Sequence, residues 1–68
     1  METFTTSYEF SHGRKPRGHG TWIFEAQFGG PAFTRTTEIT VEGMYGKARA
    51  EAARKATAMG ARAIRVMP

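Results

Sequence analysis

Sixty-eight residues suffice for one domain and not two, and a chain this short buries only about 60% of its unfolded surface. The absence of cysteine excludes a disulfide framework and a thiolate metal site, and no apolar run approaches the ~20 residues that a spanning helix needs. The net charge of +4 is uneven: residues 1–42 hold four cations against five glutamates, a net of −1, while residues 43–68 hold six cations against Glu51 alone, a net of +5.

In chain order, Thr3 to Phe10 alternates, with Phe4, Thr6, Tyr8 and Phe10 on one parity, which predicts a half-buried strand. Residues 11–20 hold three glycines, a proline and no apolar side chain, and read as a loop. A second strand is expected over Thr21 to Phe28, with Trp22, Phe24, Ala26 and Phe28 inward. Gly29-Gly30-Pro31 supplies turn chemistry. A third strand, about Thr34 to Val41, places Phe33, Thr37, Ile39 and Val41 in phase.

The period changes near residue 43. From Met44 to Met59, Tyr45, Ala48, Ala52, Ala56 and Met59 fall on one helical stripe, with Lys47, Glu51, Arg54 and Lys55 opposite. Gly60 suits the left-handed position beyond the helix end, and Arg49, at the stripe's border, is expected to lay its stem on the sheet. A last strand is expected over Ala61 to Met67. The expectation is therefore an α+β domain spanning 1–68, in the order β-β-β-α-β. An antiparallel three-stranded meander gains a fourth strand parallel to the first, in strand order 4-1-2-3, with one helix packed on one face. The other face, with Thr3, Thr5, Ser7, Thr21, Glu25 and Gln27, is expected to be wet.

No catalytic constellation can be assembled. Cysteine and aspartate are absent, and neither Ser7 nor Ser11 lies in a Gly-x-Ser-x-Gly elbow. His12 and His19, seven apart, lack the spacing of a zinc pattern, and there is no phosphate-loop motif. The sequence therefore points to a binding protein with no cofactor and no metal, not an enzyme, and to a cytoplasmic location without a membrane partner.

The candidate nucleic-acid-binding residues form two sets. Arg14, Lys15 and Arg17, with His12 and His19 at the edges and His19 counted among the binding residues, lie in a loop where proline stiffens the chain and cations can displace counterions from phosphate; Arg35 stands apart. Lys47, Arg54 and Lys55 form a strip on the outer helix face. Trp22, by parity, belongs to the core. The expected partner is nucleic acid, DNA ahead of RNA, bound through the basic Gly/Pro hairpin loop. The alternative is a protein–protein module, such as a phage-encoded inhibitor of a host complex, gripping an acidic surface. Open sheet edges also leave room for a homodimer.

Gly20-Thr21-Trp22 opening a strand, followed by the Ala-rich run Ala48-Arg49-Ala50-Glu51-Ala52-Ala53, resembles a group of DNA-binding domains built from a three-stranded sheet and one helix. These are the plant ethylene-response-factor type and the phage integrase arm-binding type, and the likeness covers residues 13–59. The resemblance implies a sheet that enters the major groove, with Arg14, Arg17 and Arg35 as stand-ins for the family's groove-reading arginines. The face that would do so carries Glu25 and Glu38, a departure from the pattern. The run His12-Gly13-Arg14-Lys15-Pro16-Arg17-Gly18-His19-Gly20 also resembles short uncharacterised bacterial and prophage proteins, and its middle resembles an AT-hook without the Arg-Gly-Arg-Pro core.

Overall fold

The structure is a computed structural model, and it describes residues 1–29 and 35–68, with the side chain of Arg35 outside the description. The elements run β1 (Glu2–Phe4), α1 (Thr6–His12), β2 (His19–Phe28), β3 (Arg35–Met44), α2 (Tyr45–Ala58) and β4 (Ala63–Val66). The four strands form one mixed sheet in the order β1-β4-β2-β3. β2 and β3 pair antiparallel from His19 opposite Met44 to Phe28 opposite Arg35, and β4 pairs antiparallel to β2 and parallel to β1.

The core follows the alternation of β2. Trp22, Phe24 and Ala26 are buried on one face, beside Val41 and Ile39 of β3 and Ile64 and Val66 of β4. α2 covers this face with Ala48, Ala52 and Ala56, all at most 1% exposed. Methyl-sized side chains let a helix sit close over bulky rings, so the small residues on the helix fit the large ones on the strand. Tyr45 closes the layer, its ring 5.0 Å from that of Trp22 at a steep angle. The indole N–H of Trp22 donates to the Gly43 carbonyl at 3.1 Å, so the polar end of a buried aromatic is satisfied. α2 ends as expected, with Gly60 at φ +87°.

Four expectations need correction. The strand expected over residues 3–10 stops at Phe4, and residues 6–12 form a second helix. Phe4, Tyr8 and His12 are also four apart, so the same residues fit a helical period. The helix seats Tyr8 in the core against Trp22; within it the Glu9 N–H donates to the Thr5 carbonyl at 2.9 Å, the Thr5 hydroxyl donates to the Glu9 carboxylate, and Tyr8 stacks on His12. Phe10, inward in the strand reading, is 93% exposed.

The strand order differs as well. β4 is parallel to the first strand as expected, but it lies between β1 and β2, so there is no three-stranded meander. Ile64 and Val66 are fully buried there, and the three-residue β1 is left at the edge. The parity of β1 is consequently reversed. Thr3 aligns with Ile64 on the α2 side, and Phe4 aligns with Arg65 on the open side, 39% exposed. Finally, Arg49, expected to be partly covered at the stripe's border, is exposed. The expected turn at Gly30-Pro31 and the inward Phe33 fall outside the described residues.

The open face of the sheet holds an organised polar group. The Arg65 guanidinium lies 3.2 Å from the Glu25 carboxylate, and it donates to the Ser7 hydroxyl at 3.2 Å. Glu38 stands opposite Glu25 on β3.

Candidate nucleic-acid interface

The basic loop does not project from the body. α1 ends at Gly13, whose N–H donates to the Glu9 carbonyl at 2.8 Å. Pro16 is buried, in contrast to Arg14, Lys15 and Arg17 around it. At the loop's far end the Gly18 carbonyl accepts the Tyr45 N–H at 2.8 Å. Met44, the residue at the N-cap of α2, offers no side-chain acceptor, so this carbonyl satisfies a helix N–H that would otherwise lack a partner. The backbone of the loop is thus tied at both ends and in the middle, while its cationic side chains are exposed.

Beside it lies a groove of about 300 Å³. One wall is α1 and the loop, contributing Tyr8, His12, Arg14 and Arg17. The other is β2 from His19 to Ile23, with Met67 and Pro68 at one end. The groove exists because β4 is short. Its pairing with β2 stops at Phe24–Val66, and the last contact is the Met67 N–H donating to the Ile23 carbonyl at 2.9 Å. Backbone groups on a strand alternate in direction. Since the Ile23 and Gln27 carbonyls both point to the β4 side, those of Thr21 and His19 do too, and there they face the groove instead of a strand.

The aromatic groups form a graded series. Trp22 and Tyr8 are buried, with ring centroids 5.6 Å apart. His12 stacks on Tyr8 at 4.1 Å with the planes 17° apart, and is itself exposed. One face of the imidazole therefore rests on Tyr8 while the other is open. Arg14, Arg17 and His19 are also exposed, and no acidic side chain lines the groove. An anion entering there meets two guanidiniums and two imidazoles and no acidic side chain.

The predicted site residues thus divide. Arg14, Arg17 and His19 converge on the groove; Lys15 is exposed on the same loop but does not line it. Lys47, Arg54 and Lys55 are exposed on α2, away from the groove lining, and Lys55 pairs with Glu51 at 3.3 Å. Arg35 lies opposite Phe28, at the other end of the β2–β3 hairpin from His19. Sequence reasoning put His12 at the edge of the basic loop but did not count it among the binding residues. The signal was there in its position four residues after Tyr8, which puts both rings on one face of a helix.

Among the described residues no group of three or more potential metal ligands forms, and no helix is long and apolar enough to cross a membrane. No protein-family model matches the chain, and comparison with curated proteins and with solved structures gives no significant match.

Proposed function

We propose that this is a small nucleic-acid-binding accessory domain, and that the groove between α1, the basic loop and the first half of β2 is where it binds. The observation that carries this reading is the composition of the groove: Arg14, Arg17, His12 and His19 line it, and no acidic side chain does. Such a lining favours phosphate, whose condensed counterions are released on binding. The aromatic layer beside the cations adds a surface that bases, unlike simple anions, can use.

The test is fluorescence anisotropy with labelled oligonucleotides at low and at physiological salt. Each phosphate contact contributes roughly −0.7 to −0.9 to the slope of log K against log salt. Binding through Arg14 and Arg17 therefore gives a slope of about −1.4 to −1.8, and alanine at both positions should remove most of it. Absence of binding at low salt to any oligonucleotide would overturn the proposal. The rival reading, a protein–protein module, draws on the free edge of β2, which can add a strand from an extended partner. It predicts saturable binding of an acidic peptide and none of nucleic acid.

A further inference from the structure

We infer that the ligand of this groove is an unpaired nucleotide of a single strand, with its base on the open face of His12, and not duplex DNA gripped by the loop. This rests on the nucleic-acid reading above and specifies its ligand. Three observations lead to it.

The loop cannot act as a finger in a duplex groove. With Pro16 buried, Gly13 bonded to Glu9 and Gly18 bonded to Tyr45, it lies along the domain. Entry would require giving up these contacts.

The site is concave and small. At about 300 Å³ the groove sits at the lower end of the ~300–1,000 Å³ range of small-ligand clefts. That room suits one nucleotide unit, and a duplex presents no single nucleotide for such a cleft to enclose. A base must be unstacked from its neighbours to enter, which costs least in a single strand.

The lining offers each part of a nucleotide a partner. His12 is braced from behind by Tyr8, which is in turn packed on Trp22, so its exposed face is a fixed plane for a base. Single-stranded nucleic acids are held by this kind of stacking on aromatic and imidazole rings. Arg14 and Arg17 flank it for the phosphates. The peptide groups of Thr21 and His19, turned to the groove where β4 has ended, provide a donor and an acceptor for the polar edge of the base. The three functions lie on three segments, and the fold brings them to one cleft.

The experiment compares four probes on the full chain by anisotropy at low salt: a 10-nucleotide single-stranded DNA, the RNA of the same sequence, the matching DNA duplex, and an acidic peptide. The expected result is that a single strand binds at least tenfold tighter than the duplex. The DNA and RNA arms tell which sugar is preferred. His12→Ala should weaken single-strand binding by about 5- to 100-fold, the range of one lost base stack, and leave the slope against salt unchanged. His12→Phe keeps a flat ring and should retain most of the affinity. That variant separates stacking from any loss of folding in His12→Ala, and circular dichroism checks both. Duplex binding equal to single-strand binding, or loss of affinity in His12→Phe to the level of His12→Ala, overturns this inference while the nucleic-acid reading stands. Binding of the peptide alone overturns both.

Discussion

The Gly18 carbonyl accepts the backbone N–H of Tyr45 at 2.8 Å, joining the end of the basic loop to the first residue of α2. Gly18 holds φ at +88°, a conformation that side-chain-bearing residues avoid. A methyl group at this position would meet nothing within 4 Å, so the penalty of Gly18→Ala is that of the backbone alone. We expect a loss of about 1–2 kcal/mol in chemical denaturation. The variant should also bind oligonucleotides more weakly, because Arg17 is then presented by a looser loop. Unchanged stability would mean that the loop is not fastened to the helix as described.

The packing of α2 is tested at Ala52, which is fully buried. Ala52→Leu forces extra methylenes between the helix and the sheet and should cost about 1–3 kcal/mol. Ala50 is exposed on the same helix, so Ala50→Leu should stay within about 0.5 kcal/mol of the parent. Equal effects at the two positions in thermal unfolding would contradict the assignment of the inner stripe.

This stripe was legible in the sequence as far as Ala56, although Met59, expected to continue it, lies past the helix end and is exposed; the inward row of β2 was legible too, because each is a long run with a single period. Ala48, Ala52 and Ala56 can share only one face of a helix, and Trp22, Phe24 and Ala26 only one face of a strand. The first dozen residues were not legible. Phe4, Tyr8 and His12 satisfy both periods, and what decides between them is the seat of Tyr8 against Trp22, fourteen positions further along. The place of β4 was hidden for a related reason: four residues specify a strand but not its neighbours. The cations of the site were visible as a cluster. Its shape was not, since the groove depends on where β4 ends and on the burial of Pro16.

Tyr45 gives the fold a pH dependence at the alkaline end. Burial raises the pKa of its phenol above the ordinary 10.0, and the nearby Arg49 guanidinium opposes the rise. The native state therefore holds this proton more tightly than the unfolded chain does. The resulting stability is complete below about pH 10 and is lost as pH climbs through 10 towards the folded-state value. Urea midpoints measured from pH 8 to 11 should fall at the upper end, and Tyr45→Phe should flatten that fall. A profile identical in the two proteins would show that the phenol is not the group responsible.

On the open face of the sheet, Arg65 of β4 supplies a counter-charge to Glu25 of β2, which has Glu38 of β3 on its other side. Its guanidinium lies 3.2 Å from Glu25, whose side chain is 18% exposed, while Glu38 stands opposite Glu25 across the β2–β3 pair. Arg65→Leu removes the counter-charge and the bond to Ser7, and leaves a half-hidden carboxylate beside another. A loss of about 1–3 kcal/mol is expected, less than for a fully buried pair because Arg65 keeps about a third of its exposure. Glu25→Gln on the Arg65→Leu background should restore part of it, since the neutral amide no longer repels Glu38. The four proteins of this cycle give the coupling between the two positions directly. A coupling near zero would mean that the pair is only a surface contact and that backbone pairing and the buried Ile64 and Val66 hold β4 in the sheet without it.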